Sequence, residues 1–183
     1  GSMNGISITD GREKYGGCLN MDGARRLTIE NSMFQNCVAD HSGGALYIKG
    51  ATSVILKNVK FNLNSAIKYG GGVAMSASGQ IKIESSAFTS NVAYNGGAIS
   101  IIPNGFGEMR EATDEEEEEA RQKMTLKTTT FISNKATNWI SSAETLTIRR
   151  NDGGAVFLYE TNAVIENCYF NDQSAKRYGG ALF

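Results

Sequence analysis

Six times along this chain two glycines are followed by a small residue and then by apolar ones: GGCLNM (16–21), GGALYI (43–48), GGVAMS (71–76), GGAISI (96–101), GGAVFL (153–158) and GGALF (179–183). Between them runs a second phrase, LTIENSMF, VILKNVKF, IKIESSAF, MTLKTTTF and AVIENCYF, ending at Phe34, Phe61, Phe88, Phe131 and Phe170. Where no extra residues intervene, the copies are spaced by 25 to 28 residues. NGISI (4–8) reads as the tail of one earlier copy. Such a period commits the chain to one small unit built repeatedly, because a single unit cannot bury its apolar side alone.

Columns through the repeat define the unit. Seven and five residues before the Phe lie Leu27/Ile29, Val54/Leu56, Ile81/Ile83, Met124/Leu126 and Ala163/Ile165. They alternate with polar or mixed positions, the period of a strand with one buried face. Five residues after each Phe stands Ala (39, 66, 93, 136, 175), the mark of a tight inward position. Directly after the small residue that follows each glycine pair come Leu19, Leu46, Ala74, Ile99, Val156 and Leu182, read as another inward column. Four before the Phe the column is Glu30, Lys57, Glu84, Lys127, Glu166. If copies lie in parallel register about 4.8 Å apart, this outward row alternates sign, each cross-strand pair contributing roughly 0.2–1 kcal/mol. Next to it run Asn31, Asn58, Ser85, Thr128 and Asn167, and three after the Phe run Cys37, Asn64, Asn91, Asn134 and Gln173. Amide side chains in register can hydrogen-bond along the stack and satisfy backbone groups at bends.

About 26 residues suit three short strands and three bends. The expectation is an all-β, right-handed parallel β-helix solenoid of about six coils, with two insertions from one coil. Leucine-rich repeats lack their Leu/Asn consensus here, and propeller blades need longer, antiparallel units. The pairing of GGA-[ILV] with Phe-x-x-Asn, complete in FNLN (61–64), FTSN (88–91) and FISN (131–134), resembles the repeats of the chlamydial polymorphic membrane proteins and related pectin-lyase-like β-helix surface proteins. FQNC (34–37) and FNDQ (170–173) depart at the last place. The resemblance implies the fold; such scaffolds serve as adhesins, surface frameworks and carbohydrate-active enzymes alike.

One coil is interrupted twice. From the small residue after the glycines to the Phe takes 15 or 16 residues in four copies but 33 from Ala98 to Phe131. From Phe131 to Ala155 takes 24, against 10 to 12 elsewhere. Insertions of this kind emerge as surface loops, where binding concentrates. The first, 103–123, carries Glu115, Glu116, Glu117, Glu118 and Glu119; Thr113 and Glu116 form a capping box, so a short exposed helix over roughly 114–124 or a mobile acidic loop is expected. Such a run could meet a cation or a basic partner, or be a solvated face whose charges point all round and converge on nothing. It lacks the turn glycine and alternating oxygen ligands of a calcium loop. The second, 138–152, offers Trp139 with Arg149 and Arg150, either a patch for a glycan or protein or an anchor of the loop onto the stack.

Catalysis finds little support. Asp10 and Asp172 share a column at opposite ends, the Glu/Lys row neutralises itself, and one histidine, His41, cannot build a Ser-His-Asp constellation. Cys18, Cys37 and Cys168 each replace a small residue in a different column, so free thiols are expected rather than a disulfide. No cofactor or metal is expected. The absence of a Lys/Arg cluster argues against nucleic acid, and no apolar run reaches the 18 residues of a membrane span. Taken together the chain reads as a single β-helix domain over 1–183, a piece of a longer protein, extracellular or at the cell surface. Its expected role is a non-catalytic, adhesin-like scaffold for a protein or glycan. The alternatives are a polysaccharide lyase- or hydrolase-like fragment and a structural subunit stacking on neighbouring β-helix chains.

Overall fold

In the computed structural model the described residues are 1–23, 25–102, 122–137, 152–159 and 161–183. They are all-β, and the strands form three sheets in which every strand pairing is parallel. The first sheet collects Ser2–Asn4, Leu19–Asp22, Arg26–Glu30, Leu46–Lys57, Val73–Glu84, Ile99–Ile101, Gln122–Lys127, Val156–Leu158 and Thr161–Glu166. The second holds Ser7–Thr9, Met33–Gln35, Lys60–Asn62, Ala87–Thr89, Thr130–Ile132 and Tyr169–Asn171. Arg12–Tyr15, Val38–Ser42, Ser65–Ala66, Val92–Ala93, Lys135–Ala136 and Ser174–Ala175 make the third.

Register follows the columns of the repeat. Leu27 and Ile29 pair with Val54 and Leu56, which pair in turn with Ile81 and Ile83, then Met124 and Leu126, then Ala163 and Ile165. From Leu27 to Leu126 these side chains are essentially inaccessible. The phenylalanines pair likewise and stack nearly face-parallel, with centroids 5.3, 4.7, 5.1 and 4.7 Å apart from Phe34 through Phe61, Phe88 and Phe131 to Phe170. Glu30, Lys57, Glu84, Lys127 and Glu166 are also register partners, and Lys127 Nζ lies 3.2 Å from Glu166 Oε2. Glu84 is held from its own strand, by Lys82 at 2.9 Å.

Two bends of each copy place a residue in left-handed backbone. Asn31, Asn58, Ser85, Thr128 and Asn167 have φ of 49 to 53°, and Asn36, Leu63, Ser90, Ser133 and Asp172 have φ of 53 to 55°. The glycine corner is stricter. Gly96 has φ of +61°, and a Cβ there would lie 2.1 Å from Ile99 O; one on Gly97 would lie 2.3 Å from Gly154 O in the next copy. Only glycine allows the backbones of successive corners to approach so closely.

Three expectations are corrected. In GGVAMS the corner pair is Gly70-Gly71, so Gly72 takes the small-residue place and Val73, partner of Leu46 and Ile99, is the inward residue. Ala74 pairs with Tyr47 and Ser100 and packs on the other face, because a slip of one residue in a strand exchanges its faces. Cys18 and Cys37 form a disulfide, with Cα atoms 5.5 Å apart. Their columns differ, yet both are inward: Gly11, which stands in the Asn-ladder column one copy before Cys37, has no side chain, and a Cβ there would lie 2.8 Å from Cys18 Sγ. That vacant place lets Cys18 reach the next copy. Finally, residues 122–124, the tail of the expected helix, begin the strand Gln122–Lys127.

Candidate functional site

Both insertions leave the sheet framework beside a glycine corner. Leu46–Lys57 and Val73–Glu84 each run unbroken for 12 residues, but the corresponding stretch stops at Ile101 and resumes at Gln122. The second insertion returns at Asp152, immediately before Gly153. Trp139, Arg149, Arg150 and Glu115 through Glu119 lie outside the described residues.

Around the stems the sheet carries a second cluster on the face away from the main core. It consists of Tyr47, Tyr69, Ala74, Ile102 and Phe157, with Tyr15 and Tyr159 against it. Apart from Ile102 and Tyr159, its residues come from two columns: the residue before each glycine pair (Tyr15, Ser42, Tyr69, Asn95, Asp152, Tyr178) and the one after each inward Leu, Val or Ile of the corner (Asn20, Tyr47, Ala74, Ser100, Phe157). Alternation across a strand puts these on the opposite face from Leu46, Val73 and Ile99. Stem backbone bonds tie the cluster together: Ile102 N–H donates to Met75 O at 3.0 Å and Tyr159 N–H to Ile101 O at 3.1 Å.

At one end of this face the Tyr15 ring lies 4.7 Å from His41 and 4.9 Å from Tyr47, with Lys14 Nζ 5.5 Å from the Tyr15 centroid. Burial, assisted by the positive charges of Lys68 and Lys14, lowers the His41 pKa to about 4. The imidazole is therefore neutral at neutral pH, its Nδ1 2.7 Å from Ser42 Oγ. Burial likewise raises the phenols of Tyr47 and Tyr69. Toward the other end Phe157 stacks on Phe183 at 5.6 Å, and the Arg177 guanidinium sits 4.5 Å over Tyr178. Between them lies a polar group. Ser100 Oγ donates to Asn95 O at 2.7 Å, and Asp152 N–H donates to Asn95 Oδ1 at 3.2 Å. Asn95, Ser100 and Asp152 are fully buried, and Arg177 Nε is 3.6 Å from Asp152 Oδ1. Aromatic faces beside buried polar groups can grip a ring-shaped or hydroxylated partner.

The amide columns do a different task. Asn64, Asn91 and Asn134, all fully buried, each donate through Nδ2 to the next amide oxygen at 3.0 Å, ending at Gln173 Oε1. The same Nδ2 groups donate back to Phe34 O, Phe61 O and Phe88 O at 3.0 to 3.1 Å. Each acceptor oxygen also takes a backbone N–H of the preceding copy, at 2.9 to 3.1 Å for Cys37, Asn64, Asn91 and Asn134. Asn31 and Asn58 form an exposed counterpart, Asn58 Nδ2 donating to Asn31 Oδ1 at 2.7 Å and Asn31 Nδ2 to Asn4 Oδ1 at 2.9 Å. Asn167 shares their left-handed bend.

Sequence reasoning passed over Asn95 and Ser100 and took Asp152 only as the end of the second insertion. A signal for Asn95 and Asp152 was there, in the column directly before each glycine pair, where every copy carries an aromatic or hydrogen-bonding side chain. Among the described residues no group of three or more His, Cys, Asp or Glu is placed to hold a metal ion, and no helix is long and apolar enough to cross a membrane. Comparison with protein-family models, curated proteins and solved structures finds no match for the chain.

Proposed function

We propose that this chain is a right-handed parallel β-helix, each copy of about 26 residues making one coil, and that it serves as a non-catalytic surface or extracellular scaffold. It binds a protein or glycan partner through the insertions and the aromatic face at their stems. The observation that carries this reading is the division of labour among its side chains. The stacked phenylalanines, the buried amide ladder and the glycine corners are turned on one another and repeat from copy to copy. The two insertions interrupt a single copy, and the stem face changes residue type from copy to copy, as a rigid frame presenting a variable site requires. The Cys18–Cys37 disulfide supports an oxidising compartment. The likeness of the repeats to chlamydial polymorphic membrane proteins points the same way.

A second reading is a subunit that stacks end to end on neighbouring β-helix chains. Binding of the purified chain to a glycan array and to cell-surface protein fractions separates the two. Trp139→Ala and the pair Arg149→Glu, Arg150→Glu are expected to weaken a captured partner at least tenfold while leaving the circular dichroism spectrum unchanged. Binding indifferent to all three substitutions would overturn the insertion site. Concentration-dependent filaments would favour stacking, and depolymerisation of a uronic-acid polymer, with or without calcium, would overturn the non-catalytic role.

A further inference from the structure

The polar group beside the insertion stems holds an imbalance. Both carboxylate oxygens of Asp152 and the Nδ2 of Asn95 are buried and take part in no hydrogen bond. The other buried amides among the described residues are satisfied, so that Asn91, for one, uses both its oxygen and its nitrogen. A buried polar atom left unpaired costs about 1–3 kcal/mol, and native folds fill such places with an ordered partner.

The chemistry that would satisfy these atoms is narrow. The orientation of the Asn95 amide is set by its neighbour: Asp152 N–H donates to Oδ1, so the other terminal atom is the NH2 group, and a flip would oppose two donors. Asn95 and Asp152 belong to adjacent copies, joined also by Gly96 N–H donating to Asp152 O at 3.1 Å. The site therefore presents one NH2 group as donor and two carboxylate oxygens as acceptors. A metal ion or an ammonium group cannot accept from the amide, and Arg177, whose Nε is 3.6 Å from Asp152 Oδ1, already balances the charge. An anion would face the carboxylate. A hydroxyl both donates and accepts, carries no charge, and fits.

We propose that Asn95 and Asp152 form a binding site for one neutral hydroxyl oxygen, which donates to the Asp152 carboxylate and accepts from Asn95 Nδ2. Two sources share this chemistry, a water molecule sealed into the stem and a hydroxyl of a neutral saccharide. The inference stands whether or not the chain is a surface scaffold, since it rests only on the balance of donors and acceptors.

The test uses the whole isotope-labelled chain. In sugar-free buffer the Asn95 side-chain amide protons are expected to show a cross-relaxation peak to a long-lived water. Asp152→Leu, which removes both acceptors while keeping the branched shape, is expected to lose that peak while the neighbouring Ser100 amide keeps its shift. Titration with maltose, cellobiose and lactose then separates the sources. Displacement of the water peak with shifts at Asn95 assigns the site to a saccharide hydroxyl; an unchanged peak assigns it to water. Should the variant not fold, a crystal structure of the parent chain decides. An isolated oxygen within hydrogen-bonding distance of both side chains supports the site. A direct bond from Asn95 Nδ2 to the Asp152 carboxylate, with no water peak and no response to sugar, overturns it.

Discussion

Two amide columns run through this molecule in the same register, and they tolerate change very differently. The inner one keeps Asn64, Asn91 and Asn134 and admits only Gln173 and Cys37 at its ends; the outer one passes from Asn31 and Asn58 to Ser85, Thr128 and back to Asn167. Both link side chains of successive copies, at 3.0 Å inside and 2.7 Å outside. Burial makes the difference. Each inner amide satisfies a backbone N–H and a carbonyl of the preceding copy that no solvent can reach. An outer amide competes with water for its partner, and what its position demands is a left-handed bend, which Asn favours and which Ser85 and even the β-branched Thr128 adopt. The same hydrogen bond is thus indispensable in one place and incidental in the other.

The contrast breaks most sharply at Asn91. Asn91→Leu keeps the branched shape but strands Asn64 N–H and Phe61 O, both of which bond to the Asn91 side chain. With two buried groups unsatisfied, destabilisation of roughly 3–5 kcal/mol is expected, read as a lower midpoint in urea unfolding. A loss under about 1 kcal/mol would mean that the ladder is not what holds the bends.

Next in size is the end of the ladder where Cys37 replaces the amide. There the disulfide to Cys18, 19 residues away in sequence, closes a loop worth about 3 kcal/mol in chain entropy. Cys18→Ala alone is expected to lose most of this. Adding Cys37→Asn should recover part of it, because Gly11 leaves room and Ile8, the register partner of Phe34, presents its carbonyl where the other copies present that of Phe. Recovery would show that ladder and disulfide are interchangeable closures of one column. Two equally unstable variants would show that they are not.

Much of this was legible from residues alone. Period, strand alternation, the phenylalanine column and the parallel pairing of copies all follow from residue types at fixed offsets, since stacking brings equal offsets together. The misreadings came where offset is not position. The run of three glycines at 70–72 allowed two placements of the corner pair, and only backbone geometry distinguishes Gly70-Gly71 from Gly71-Gly72. The disulfide was missed because it joins different columns diagonally, through space vacated by Gly11. Asn95 and Asp152 stayed hidden because their meaning lies in what they lack, and a sequence records no unpaired atoms.

The smallest effect is the most discriminating, because it asks whether the outer column is a ladder at all. Asn58 donates to Asn31 in a bend with φ of 53°. Asn58→Ser, the residue that the next copy already carries at Ser85, removes the hydrogen bond but keeps a short polar side chain in left-handed backbone. If the bend conformation governs this column, the loss should stay within about 0.5 kcal/mol. Asn58→Val should then cost more, about 1–2 kcal/mol, because a β-branched side chain resists this conformation. If the hydrogen bonds govern, Ser and Val should cost alike, each having lost the amide. Unfolding midpoints of the two variants side by side therefore separate conformation from pairing at a position where both are visible and only one is expected to matter.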